Sequence, residues 1–144
     1  GQGKYLPAIA MAHEIPYVAT ATVAELHDLE AKVRRAMEIH GARYIHILVP
    51  CPLGWGHDSA ETIKIARLAK ETGLFPVFEA EGSKLTQVSK IKHKLPVEEY
   101  LRPQQRYAHL FKDPARRDVI DRIQQMADRN ILRYRLLDDV ERRA

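Results

Sequence analysis

The chain has little sulfur chemistry to offer. It carries a single cysteine, Cys51, so no disulfide can form within it and disulfide-framework folds are excluded. CxxC and HxxxH spacings are missing, and His13, His27, His40, His93 and His109 are scattered, which argues against a zinc site. Neither GxGxxG nor a Walker A sequence occurs. No apolar run approaches the ~18 residues that a membrane span needs, and no signal peptide is recognisable at the start. Charge of one sign is also lacking: 23 basic residues against 19 acidic give a net +4 over 144 residues. Most of that excess falls past residue 84, mixed with acidic side chains, so no nucleic-acid footprint is indicated.

What is present is enough for a packed domain, since 45% of the residues are hydrophobic. An α/β alternation runs through the first 80 residues. Residues 4–13 are apolar-rich and predict a helix, with Pro7 allowed in its first turn. Pro16 stops it, and residues 17–21 predict a buried strand. Thr22-Val23-Ala24-Glu25 has capping-box spacing. Leu26, Leu29, Val33 and Met37 follow at helical intervals, and Gly41 closes that helix. Residues 43–49 predict a second strand, apolar enough to be covered on both faces. Asp58 or Ser59 caps the next helix, which carries Ile63, Ile65, Ala66, Leu68 and Ala69 and ends at Gly73. Residues 74–80 predict a third strand, and residues 85–91 pair back on it through the turn at 81–84. This order implies crossovers and a parallel sheet.

From residue 95 the pattern becomes helical. Pro96 starts a helix that Pro103 interrupts, and Asp113-Pro114 reads as a cap followed by proline at the first helical position. Val119, Ile120, Ile123, Met126 and Ala127 keep one apolar face, and the tail through Ile131, Leu132, Leu136, Leu137 and Val140 continues as helix. The organisation expected is an α/β part over residues 1–94 and a helical extension over residues 95–144. Arg102 and Arg106 are spaced four apart. Tyr100, Leu101, Tyr107, Leu110 and Phe111 read as packing residues.

Chemistry concentrates in YIHILVPCPLGWGH, residues 44–57. Cys51 follows a predicted strand and lies between Pro50 and Pro52, in the position where ligands bind in open α/β sheets. Three roles are open for it: a small buried residue, a nucleophile, or a metal ligand. As a ligand it needs companions, because Fe–S clusters are held by four thiolates. His57 offers a Cys/His dyad that lacks an orienting third group, and His46 falls within the strand. Gly54 and Gly56 suit a flexible turn. The helix start at Asp58 and Ser59 suits an anion, and Trp55 suits a cofactor cover or an interface. Lys90, Lys92 and Lys94 alternate, as on a solvated sheet edge or a surface that steers an acidic partner.

The segments PYVATAT, YIHILVPCPLGWG, TGLFPVFE and PVEEYLRPQQRYAHLF together resemble the thiamine-pyrophosphate-binding β subunit of 2-oxoacid:ferredoxin oxidoreductases, in its C-terminal portion. Pyruvate:ferredoxin oxidoreductase is the form they are most similar to. The resemblance covers most of residues 4–111 and is weaker beyond Asp113. It implies the second half of a thiamine-diphosphate-binding α/β fold with a helical extension. It also implies a role for Cys51 as the fourth ligand of a [4Fe–4S] cluster whose other three cysteines lie outside this chain.

The family's Gly-Asp-Gly and downstream Asn, which hold magnesium and diphosphate, are absent here. No thiamine-contacting or catalytic residue is therefore assigned, and the chain alone is not expected to hold thiamine, magnesium or a cluster. For the intact enzyme the resemblance implies oxidative decarboxylation of a 2-oxoacid to an acyl-CoA, with electrons passed to ferredoxin. Relatives oxidising oxalate or an aryl glyoxylate share the subunit. The partners implied are the enzyme's other subunits, ferredoxin, coenzyme A and the 2-oxoacid, in the cytoplasm, with no nucleic acid and no membrane span. The opening GQGKY, without Met, suggests a fragment. Such a piece would expose apolar surface and associate. The competing readings are a non-catalytic α/β domain that docks onto a partner, and a small enzyme using Cys51 and His57.

Overall fold

A computed structural model describes residues 3–137. The fold is α/β, and the chain divides into two compact units. The first takes the described residues up to Leu48 together with Val77–Ser89, and the second takes Val49–Pro76 and the residues from Lys90 onward.

The first unit is a four-stranded sheet with two helices. Helix α1 (Leu6–Ala12) has Pro7 in its first turn, where a missing N–H costs nothing. It is followed by strand β1 (Tyr17–Thr22), helix α2 (Leu26–Glu38), strand β2 (Arg43–Leu48), strand β3 (Phe78–Glu81) and strand β4 (Lys84–Val88). The spatial order is β2-β1-β3-β4. Every residue of β1 is buried. Its sequence Tyr-Val-Ala-Thr-Ala-Thr suits a central strand, because small side chains let neighbouring elements approach closely. Ala19 packs with Tyr17 and Ala36, flanked by Ile39 and Ile45.

Strands β1 and β2 are parallel, from Tyr17 opposite Arg43 to Thr22 opposite Leu48. The expectation that the third strand joins β1 and β2 in a parallel sheet does not hold. Strand β3 runs antiparallel to β1, with Val18 opposite Ala80, and β3 and β4 form the expected hairpin. An alternation of helices and strands does not fix strand direction. The segment between β2 and β3 folds in the second unit, and the chain returns to the end of β1 from which it left. The Phe78 N–H marks that end by donating to Thr20 Oγ1 at 2.9 Å. The third strand is also shorter than expected, starting at Phe78 rather than at residue 74. Strand β2 is only half-buried, because it lies at the sheet edge.

Helix α2 also departs from its sequence pattern. It buries Lys32 and Ala36, whereas Leu26, Val33 and Met37 are exposed. The Lys32 ammonium donates to Thr20 O at 3.0 Å and pairs with Asp28 at 2.6 Å. A buried cation needs such partners. The capping box does not form. Thr22 ends β1, and its hydroxyl accepts from the Ala24 N–H at 3.3 Å, while α2 starts without a side-chain cap.

The second unit is helical. It contains α3 (Pro52–Trp55), a single 3-10 turn at Ser59–Glu61, α4 (Thr62–Glu71), α5 (Val97–Leu101), α6 (His109–Lys112) and α7 (Arg117–Tyr134). Further 3-10 turns lie at Gln105–Tyr107 and Pro114–Arg116. Two predicted caps are present: Asp58 accepts from the Ala60 N–H at 2.8 Å, and Asp113 from the Ala115 N–H at 2.9 Å. Helix α5 packs on α4 and α7. Gly73 follows α4 with φ +77°, and a Cβ there would lie 2.6 Å from Ile131 on α7. Asn130 secures the same crossing by donating to Gly73 O at 3.0 Å.

Helix α7 stops at Tyr134, earlier than the pattern suggests. Arg135 takes the left-handed conformation at φ 50°, and the Leu136 N–H returns to Ile131 O at 3.0 Å. This is a helix-ending geometry normally reserved for glycine. Leu136 and Leu137 are buried beyond the helix. The predicted helical continuation through Val140 lies outside the described residues.

Candidate functional site

The site is built on the loop that leaves β2. Pro50 is buried, Cys51 is exposed, and Pro52 opens α3. Cys51 is the N-cap of that helix, with extended backbone at φ −95° and ψ 112°. Its sulfur accepts from the Gly54 N–H at 3.5 Å, and its carbonyl accepts from the Trp55 N–H at 2.9 Å. The thiol is therefore not the buried small residue that composition alone allows. It stands at the surface with one backbone donor aimed at the sulfur. The two prolines restrict the backbone on either side.

The far end of this turn is held from outside the loop. Gly56 adopts φ +67°, and its carbonyl accepts from the Gln105 N–H at 2.9 Å. Its missing Cβ leaves room for Gln105, whose own Cβ would otherwise be 2.6 Å away. Arg106 lays its guanidinium over Trp55, 3.7 Å from the ring centroid. The same guanidinium donates to Gln104 Oε1 at 2.9 Å and to Tyr100 Oη at 3.1 Å. Gln104 is fully buried, and its amide nitrogen donates to Tyr100 O. Burial raises the Tyr100 hydroxyl above the usual tyrosine value, and the nearby Arg106 charge opposes that rise.

The sequence pattern gave these supporting residues little prominence. Tyr100 and Tyr107 read as packing, and Arg102 and Arg106 only as two arginines four apart, on either side of Pro103. The two diverge: Arg102 stacks on Phe111 at 4.4 Å while Arg106 serves Trp55. The usable signal was the lone tryptophan near the lone cysteine, together with Pro103.

The other candidate residues do not converge on Cys51. His57 Nδ1 donates to Asp58 O at 2.8 Å, and its Nε2 is buried with no hydrogen-bond partner. His57 therefore makes no hydrogen bond to Cys51, and the dyad is not formed. His46 meets Tyr44 Oη at 3.1 Å within β2. The Asp58 carboxylate already takes the N–H at Ala60, which the anion reading would require. Lys90, Lys92 and Lys94 lie beyond the last strand, not on it. Lys90 donates to Arg135 O, and Lys94 pairs with Asp128 at 2.9 Å. Burial pushes the Asp128 carboxyl upward, but hydrogen bonds from Lys94 and Gln124 outweigh it and leave the group below the usual carboxylate range. Among the described residues no three His, Cys, Asp or Glu side chains gather as a metal set, and no helix is long and apolar enough to cross a membrane.

Comparison with known proteins shows what the chain is similar to. The chain is 48% identical over 133 residues to the pyruvate synthase subunit PorB of Methanosarcina barkeri, an alignment that covers 92% of the chain. The chain is a homologue of PorB. The PorB of Methanocaldococcus jannaschii is 42% identical over 125 residues, covering 87% of the chain. The ketoisovalerate oxidoreductase subunit VorB of Pyrococcus abyssi is 41% identical over 107 residues, covering 73%. The chain spans less than half the length of these curated relatives: 45%, 40% and 34% respectively. No family model matches it.

Proposed function

We propose that this chain is part of the β subunit of a 2-oxoacid:ferredoxin oxidoreductase, from its C-terminal portion, and that Cys51 supplies one thiolate to a [4Fe–4S] cluster. The similarity to PorB over nearly the whole chain carries the reading. The geometry of Cys51 fits it. The sulfur is exposed, its backbone is restricted by prolines, and the Gly54 N–H points to it. Hydrogen bonds to ligand sulfurs help set cluster potentials. Such a cluster supplies one-electron transfer when bound. The remaining thiolates come from outside this chain, as do the groups that hold thiamine and magnesium.

Pyruvate is the substrate we favour, because the PorB of Methanosarcina barkeri, at 48% identity, is more similar to the chain than the VorB of Pyrococcus abyssi, at 41%. The overall reaction is oxidative decarboxylation to an acyl-CoA, with ferredoxin as acceptor, in a cytoplasmic complex of several subunits. In this scheme the chain's own residues orient the Cys51 thiolate and present a hydrogen-bond donor to it. Replacing Cys51 tests the proposal. In the intact complex, purified without oxygen, Cys51→Ser is expected to remove or alter one [4Fe–4S] signal in the electron paramagnetic resonance spectrum. Iron content should fall in parallel. Wild-type iron content with an unchanged spectrum would overturn the assignment.

A further inference from the structure

We infer that Arg106 is a positioning residue for Cys51, acting through Trp55. The inference rests on the reading of Cys51 as a cluster ligand and extends it to a residue some fifty positions away in sequence. Helix α3 is a single turn of four residues. A lone turn has no stability of its own, because nucleation costs more than its few hydrogen bonds return. Leu53 in that turn is 96% exposed, so it provides no anchor. Something outside the turn must fix the direction of the Cys51 sulfur.

The contacts that do so run from Arg106. Its guanidinium is first fixed in plane by Gln104 Oε1 and Tyr100 Oη, and Gln104 is itself fully buried. That plane then meets the indole of Trp55 at 3.7 Å, closer than Arg106 lies to Tyr107 at 4.6 Å. Trp55 is the last residue of α3, and its N–H closes the turn on Cys51 O. The neighbouring Gln105 N–H fixes Gly56 at the same end. A planar fork that bonds two acceptors while stacking is a task for arginine, and lysine performs only part of it.

The test uses the intact complex, loaded with its clusters, in five variants. Arg106→Ala is expected to speed iron release to a ferrous chelator by about three- to tenfold and to broaden the cluster's resonance signal. Trp55→Leu, which leaves the Arg106 anchors in place, should shift both readouts in the same direction. Arg106→Lys should fall between Arg106→Ala and wild type. Arg102→Ala removes a comparable stack on Phe111 and should match wild type in both. The inference is overturned if Arg106→Ala and Trp55→Leu both release iron at the wild-type rate with a wild-type signal while Cys51→Ser changes them. It is equally overturned if Arg102→Ala behaves like Arg106→Ala, which would mark a general loss of packing. A Cys51→Ser complex with normal iron and signal would instead overturn the ligand reading itself.

Discussion

Tyr17 and Glu79 show how a single pair sets a response to pH. The Tyr17 hydroxyl donates to Glu79 Oε2 at 2.6 Å. Burial first, then the bond and charge of Glu79, push its ionisation well above the ordinary tyrosine value. The folded state therefore binds the phenolic proton more tightly than the unfolded chain does. The stability this contributes is fully present below about pH 10 and is lost as pH rises further, towards the folded-state value. Tyr17→Phe should flatten that alkaline loss, measured as the slope of unfolding free energy between about pH 9 and 11. An unchanged slope would show that another group controls it. At this scale the sequence was partly legible. Cys51 stood out because no second thiol competes with it and prolines flank it. Lys32 did not, because a lysine among charged helix residues reads as solvated, and only the strand beside it reveals the carbonyl of Thr20 that it reaches.

At the scale of elements, two glycines two residues apart have opposite tolerances. Gly56 is left-handed, and its Cβ would press on Gln105. Gly56→Ala should cost about 2–4 kcal/mol, combining backbone strain with a clash. A Cβ on Gly54 would meet the Cys51 sulfur at 3.6 Å, an ordinary contact. Gly54→Ala should therefore cost less than about 1 kcal/mol. Urea unfolding of both variants checks the difference, and equal costs would refute the account of Gly56. Caps with a short local mechanism, at Asp58 and Asp113, could be read from sequence. The box at Thr22–Glu25 could not, because Thr22 is drawn into β1 and pairing with Leu48 wins over capping. The apolar spacing of α2 likewise pointed to Leu26, Val33 and Met37, yet the helix turns Ala36 toward Tyr17 and Ala19 of β1.

At the scale of the whole molecule, exposed apolar side chains set the behaviour in solution. Leu53 is 96% exposed, Met37 79%, Leu132 71% and Leu26 64%. Isolated exposed apolar residues are common on monomers, but large ones this bare favour association. The chain produced alone should show a mass that rises with concentration in light scattering. A concentration-independent monomer would contradict this. The α/β class was legible from the alternation of helix and strand, whereas the direction of β3 was not, since it depends on where the intervening segment folds. That segment has a consequence for synthesis. The chain passes between the two units after Leu48, after Pro76 and after Ser89, and Tyr17 waits for Glu81 to arrive before its strand has a neighbour on the second side. A nascent polypeptide emerging from the ribosome thus holds its central strand half-clothed until the hairpin arrives, and a message truncated before that point yields a product open to mispairing along one flank.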